Sequence, residues 1–156
     1  MRREFYSLTT FIVQPAGPSD RADWLAMRIA LWPDEDAGEL GREIDLFLDP
    51  AITEYGWIAR SADGRRAGFI EASLRSYAEG CWPGPTPYIE GLWVEAQFRR
   101  LGVAAQMLGA VEDWARASGH HEIGSDALLD NGVSHAWHAA RGFDEVERII
   151  VFRKAL

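Results

Sequence analysis

The segment Tyr88–Ser118, YIEGLWVEAQFRRLGVAAQMLGAVEDWARAS, constrains the fold more than any other part of the chain. It opens as a β-run of aromatic and apolar residues, YIEGLWV. It then crosses a basic turn with Arg99, Arg100 and Gly102, and continues as an amphipathic helix. A helix start leaves its first backbone N–H groups without partners inside the helix, pointing one way. With two arginines beside them, these groups form a receptor for a phosphate chain. Gly102 keeps a Cβ out of the ligand's path, and Ala104 is small for the same reason.

The flanking chain supplies further layers. Phe11–Gln14 reads as a first strand. Pro18, Ser19 and Asp20 start a helix over Asp20–Leu31, with Ser19 or Asp20 as N-cap and Leu25, Ile29 and Trp32 at helical spacing. An acidic loop, Trp32–Asp36, precedes a second helix over Glu39–Leu48. Tyr55–Ser61 and Arg66–Arg75 form a hairpin through Asp63-Gly64. The Gly- and Pro-rich loop Ser76–Pro87 has aromatics of its own, Tyr77 and Trp82, which suit a segment that packs on or covers something. Gly119 ends the long helix. Glu122–Asp126 reads as a short strand, Gly132–Ala140 as a helix and Val146–Phe152 as a last strand. The order β-α-α-β-β-β-α-β-α-β predicts an α/β fold, a mixed sheet with helices on its faces. Residues 1–10 form a short N-terminal extension, and residues 11–156 one domain.

Composition narrows the partners. The 156 residues carry a formal charge of −8, so no cationic excess is available for nucleic acid, whereas a cationic ligand is permitted. No apolar run reaches the roughly 20 residues of a membrane span, and the N-terminus lacks a signal-peptide pattern. The single cysteine, Cys81, excludes an internal disulfide and suits a reducing cytoplasm. No Cys/His spacing suggests a metal site. Two carboxylates stand out. Glu90 interrupts the apolar run YIEGLWV, where strand alternation puts it on the face of Tyr88, Leu92 and Val94. A carboxylate there either pairs with an arginine or faces a polar cleft. Asp126 closes a strand, a common position for site residues in α/β sheets.

The strand, the Arg-x-x-Gly-x-Ala turn at 99–104 and the later Gly142-Phe143 resemble the acetyl-CoA-dependent N-acetyltransferases of the GNAT superfamily, over nearly the whole chain from Phe11. The segments DWLAMRIALWPDED (23–36), IEASLR (70–75), YIEGLWVEAQFRRLGVA (88–104) and SDALLDNGVSHAWHAARGFDEVERIIVFRK (125–154) are similar to one branch, the aminoglycoside 6′-N-acetyltransferases. The resemblance implies a sheet that splays beside Val94. It also implies acetyl-CoA as co-substrate across Leu92, Trp93 and Val94, with its pyrophosphate on the turn Arg99, Arg100, Leu101, Gly102, Val103, Ala104 and Ala105 and its pantetheine arm near Asn131. The Val94 N–H would receive the oxyanion. Trp32, Glu35, Tyr77, Glu90, Asp126 and Glu147 match positions that bind the aminoglycoside. Asp126 is the expected proton acceptor, directly or through water, with Glu90 second. Where the superfamily often has a tyrosine that protonates the leaving thiolate, four residues before Gly142, this chain has His138, which can serve as that acid or as a half-buried helix residue.

The resemblance further implies a cytoplasmic homodimer that acetylates the 6′-amino group and so confers resistance. Loss of one ammonium charge weakens a drug that binds RNA largely by charge. Two other readings stay open: a GNAT enzyme for another amine (polyamine, small metabolite or protein amine), and a non-catalytic acyl-CoA-binding module. The intact turn together with Glu90 and Asp126 argues against the second.

Overall fold

The computed structural model describes residues 10–52 and 54–156; the expected N-terminal extension, except Thr10, lies outside them. The elements are β1 (Phe11–Pro15), α1 (Arg21–Leu31), α2 (Ala37–Phe47), β2 (Glu54–Ser61), β3 (Arg66–Arg75), β4 (Thr86–Val94), α3 (Val103–Ala117), β5 (Gly124–Ser125) and α4 (Gly132–Ala140), with short 3-10 turns at Pro18–Asp20 and Ala96–Phe98. They build one sheet in the order β1-β2-β3-β4-β5, antiparallel from β1 to β4 and parallel between β4 and β5. The predicted mixed α/β sheet is therefore present.

Each face has its own core. On one, Val103, Met107, Leu108 and Val111 of α3 pack on Phe11, Trp57, Ile70, Ala72 and Ile89. On the other, Trp24 and Met27 of α1 and Ile44 of α2 pack on Ile58 and Phe69. Burying side chains of this size contributes about 1.5–3 kcal/mol each. Gly56 lets the second layer close: a Cβ there would stand 2.3 Å from the rigid Trp24 ring.

Local chemistry moves several predicted boundaries. Asp20 is the N-cap residue of α1, as expected, but its side chain bonds no N–H of that helix; the carboxylate accepts from the Gly17 N–H at 2.9 Å and pairs with Arg60 at 2.8 Å. Asp36 caps α2, accepting from the Glu39 N–H at 2.9 Å, so that helix starts earlier than expected. The loop after β3 packs through buried Ala78 and through Gly80, which lies against Val146, while Tyr77 and Trp82 stay exposed. The strand expected over Glu122–Asp126 shrinks to Gly124–Ser125. The strand expected over Val146–Phe152 joins no ladder among the described residues. Its β-branched content favours an extended chain, but a strand also needs an edge to pair with.

Two irregularities shape β4. A register shift between Glu71 and Ala72 leaves Glu90 as an extra residue between Ile89, opposite Ala72, and Gly91, opposite Glu71. The expectation that Glu90 shares a face with Leu92 and Val94 is thereby corrected. Glu90 stays with Tyr88 on the α1/α2 face, bonded to Ser73 and Arg75. Past the bulge, Trp93 takes that face and packs near Phe69, while Leu92 and Val94 face α3. The second irregularity is the short β4–β5 ladder, Tyr88 with Gly124 and Ile89 with Ser125. β4 then runs on to Val94 with no β5 partner.

Candidate active site

The phosphate turn is built as a cradle. Gly102 sits at φ 86°, ψ 4° directly before α3, and a Cβ there would meet no heavy atom within 4 Å. Gln106 N–H bonds the Gly102 carbonyl at 3.1 Å, so the N–H groups of Val103, Ala104 and Ala105 precede the first bond of the helix. Arg100 has φ 63° and is the positive-φ non-glycine among the described residues. Such backbone strain concentrates at functional sites. Arg99 does not reach into the cradle: its Nε donates to the Val94 carbonyl at 3.0 Å and its guanidinium lies 5.0 Å from the Trp93 ring centre. The open turn and the unpaired end of β4 fit a pantetheine pyrophosphate chain.

Glu90 anchors the other half of the site. Its carboxylate accepts from Arg75 Nε at 2.8 Å, Arg75 Nη2 at 2.6 Å and Ser73 Oγ at 2.5 Å. Half-burial acts to raise this carboxyl, but the Arg75 and Ser73 hydrogen bonds outweigh it and hold it below its ordinary value. Arg75 also stacks 3.5 Å over the Tyr88 ring. Burial first, and then the negative charge of Asp126, pushes the Tyr88 phenol up to about 12. Asp126 also acts on Arg75, so Tyr88, Arg75, Glu90 and Asp126 form one group. Asp126 is exposed and has no hydrogen-bond or ion-pair partner among the described residues.

Trp32 completes this side. Its ring lies over Gly91, where a Cβ would stand 2.7 Å from the Trp32 Cη2. Glu35 follows in the exposed loop, its N–H bonded to the Trp32 carbonyl at 3.2 Å. Tyr77 and Glu147 are exposed, and no described contact links either to Glu90 or Asp126. A cavity of about 310 Å³ lined by Trp82, Pro85 and His121 includes none of these residues.

On α4, Asn131 Oδ1 accepts from the Ser134 N–H at 3.0 Å and caps the helix, leaving its amide NH2 for other contacts. His138 Nδ1 lies 2.8 Å from the Ser134 carbonyl, which can only accept. The N–H is therefore on Nδ1, and in the neutral ring Nε2 accepts from Ser125 Oγ, 2.9 Å away. The ring stands edge-on to Trp137 and Phe143.

Glu71, within IEASLR, has no role that its sequence position alone implies. In the structure it is 1% exposed, accepts from Trp24 Nε1 at 2.6 Å and pairs with Arg28 at 3.1 Å. Burial pushes its carboxyl up to about 7, against the pull of Arg28. The signal was present in the sequence. Glu71 interrupts an apolar run as Glu90 does, and Trp24, Arg28 and Trp32 recur at a spacing of four along α1 and its C-cap.

Residues 21–143 match the model of the Acetyltransferase (GNAT) family, and the chain belongs to that family. Within it, the chain is 41% identical to an aminoglycoside N(6′)-acetyltransferase type 1 of Klebsiella aerogenes, covering 93% of this chain and 97% of that one. It is 38% identical to one of Acinetobacter genomosp. 13, covering 91% and 97%. Two solved structures agree. AAC(6′)-Iy, in complex with the bisubstrate analogue CoA-S-monomethyl-acetylneamine, superposes with a TM-score of 0.88 at 32% identity, covering 95% of this chain and 100% of that one. AAC(6′)-Ih of Acinetobacter baumannii superposes with a TM-score of 0.84 at 34% identity, covering 94% and 99%.

Proposed function

We propose that residues 11–156 act as one catalytic unit that transfers acetyl from acetyl-CoA to the 6′-amino group of aminoglycoside antibiotics, conferring resistance. The observation that carries the reading is the division of β4. Its Tyr88–Glu90 half joins Asp126 in an acidic acceptor group, and its Leu92–Val94 half runs unpaired into the cradle at Gly102. Similarity over nearly the full length to aminoglycoside 6′-acetyltransferases, one of them solved with a CoA–acetylneamine conjugate, supports the choice of acceptor.

The reaction is attack of a neutral amine on a thioester. The N–H groups from Arg100 to Ala105 hold the pyrophosphate, and the Asn131 amide reaches the pantetheine arm. Glu95 N–H bonds back to Ala67 on the β3 side at 2.9 Å. Backbone groups alternate along a strand, so the Val94 N–H points into the gap beyond β4, towards the position of a developing oxyanion. Trp32, Glu35 and Glu90 hold the polycation, with Tyr77 and Glu147 at its periphery. Asp126 takes the amine proton, directly or through water. Glu90, committed to Arg75 and held below its ordinary value, serves as an anchor and is the weaker base. His138, as the imidazolium with a second proton on the Nε2 that faces Ser125, is the candidate donor to the departing thiolate.

A thiol-release assay with acetyl-CoA tests the acceptor. Kanamycin and tobramycin, which carry a 6′-amino group, are expected to turn over. Analogues with a 6′-hydroxyl, spermidine and a lysine peptide are not; turnover of only the last two would overturn the assignment. An enzyme that draws on acetyl-CoA works in the cytoplasm, where a single reduced cysteine is stable. No helix among the described residues is long and apolar enough to cross a membrane.

The functional form is a homodimer. Ile149, Ile150, Val151 and Phe152 are exposed, up to 87% at Phe152, on a β-branched segment that joins no ladder among the described residues, and β5 is the last strand of its sheet. A second copy covers that run. Sedimentation equilibrium is expected to give twice the 17.5 kDa chain mass, and a monomer at micromolar concentration would refute the dimer.

A further inference from the structure

Glu71 and Arg28 are an expensive feature with no place in the chemistry above. Both are almost fully buried, at 1% and 4% exposure. A buried ion pair is seldom kept for stability, because apolar residues of similar volume hold a core at least as well. What this pair does is geometric. Glu71 is opposite Gly91 in the β3–β4 register, so it is fixed by the sheet beneath the acceptor group. Its Oε1 accepts from the Trp24 indole at 2.6 Å and meets Arg28 Nε at 3.1 Å, the latter off the line of the N–H and so an ion-pair contact. Arg28 Nη1 donates to the Leu40 carbonyl of α2 at 2.7 Å, and Nη2 to Glu43 at 2.6 Å. Both terminal nitrogens are hydrogen-bonded, Nε has only the ion-pair contact with Glu71, and Cζ lies over the Trp32 ring, 5.0 Å from its centre, and 5.7 Å from that of Phe47. Trp32 in turn rests on Gly91, the residue after Glu90. Trp32 is the C-cap of α1: its N–H still bonds the Arg28 carbonyl at 2.8 Å, but at φ −122° and ψ 70° the chain leaves the helix there, so no further helical turn packs against its ring.

We propose that Glu71 and Arg28 are positioning residues for substrate. Through the Arg28 guanidinium they hold the Trp32 indole over Gly91 beside Glu90, and so set the wall against which the aminoglycoside seats. The proposal rests on the reading that Trp32 and Glu90 face the acceptor. The cofactor side is not involved: among the described residues, the pair's side-chain hydrogen bonds, ion pairs and ring contacts reach Trp24, Trp32, Leu40, Glu43 and Phe47 and none of the cradle residues 99–105.

The test is steady-state kinetics on Glu71→Gln, Arg28→Lys and Trp32→Ala, singly and combined, with kanamycin and acetyl-CoA varied in turn. Glu71→Gln keeps the volume and the acceptor for Trp24, so it removes the charge alone. It is expected to raise KM for kanamycin at least about fivefold while KM for acetyl-CoA and kcat stay within about twofold; Arg28→Lys, which loses the planar stacking face, should do the same. In the Trp32→Ala background Glu71→Gln should add less than about twofold, because the pair acts through that ring. Asp45→Asn is the control for helix packing. It breaks the Arg21–Asp45 pair, 2.6 Å, which ties the same two helices on their exposed side, and should leave both KM values unchanged. The proposal is overturned if Glu71→Gln and Arg28→Lys lower thermal stability without changing KM for kanamycin, if they raise KM for acetyl-CoA equally, or if Glu71→Gln has its full effect without Trp32. Failure of the wild-type protein to turn over any 6′-amino aminoglycoside removes the assigned acceptor and this role with it. Normal wild-type turnover with an unaffected Glu71→Gln variant removes this role alone.

Discussion

Asp126→Asn is expected to lower kcat for a 6′-amino aminoglycoside by more than about tenfold, the low end of what losing a general base costs. The expectation comes from comparing the two carboxylates of the acceptor group. Glu90 accepts three hydrogen bonds, two of them from one guanidinium, and is held below its ordinary value, so it is a poor proton acceptor. Asp126 is exposed, lacks a protein partner among the described residues, and acts on the same Tyr88 and Arg75. Asparagine keeps the shape and removes the charge. The fold should survive, because no described hydrogen bond depends on that side chain. KM for the drug should change less than kcat. An unchanged kcat, with the circular dichroism spectrum intact, would transfer the proton to water or to another group and end the assignment.

Gly102→Val is expected to raise KM for acetyl-CoA by about tenfold or more, with KM for the aminoglycoside nearly unchanged. Space is not the obstacle, since no heavy atom lies within 4 Å of the added Cβ. The obstacle is the backbone. At φ 86° a β-branched residue is strained by about 1–3 kcal/mol, and the turn relaxes by moving away from the conformation that aims the N–H groups. Each 1.4 kcal/mol lost from cofactor binding is tenfold in affinity. Unchanged cofactor affinity would mean that the pyrophosphate is held elsewhere.

Where local chemistry decides structure, the sequence was readable. Gly102 before an apolar helical repeat marked the cradle, Asp63-Gly64 marked the hairpin, and Gly119 marked the end of α3. The acceptor residues were legible mainly as charges out of place, Glu90 in an apolar strand and Asp126 at a strand end. What sequence could not supply was register. Strand alternation predicts a face only for an unbroken ladder, and the extra residue in β4 depends on how β3 pairs with it. Likewise, Val146–Phe152 has the composition of a strand, but composition says nothing about which edge receives it. The Glu71–Arg28 pair is half legible: a charge amid Phe69, Ile70 and Ala72 demands a cation, but the sequence does not say that Arg28 supplies it.

The extra residue at Glu90 gives β4 a change of phase. Upstream of it, the face towards α1 and α2 carries the side chains that meet the amine. Downstream, parity is reversed, and the side chains beside the cradle turn into the opposite core. Substitutions at Tyr88 and Glu90 therefore act on a different face from those at Leu92 and Val94, although all four positions are an even number of residues apart. A lineage can alter the residues that discriminate among drugs without repacking the layer behind the thioester, and one strand can serve a constant donor and a changing set of acceptors.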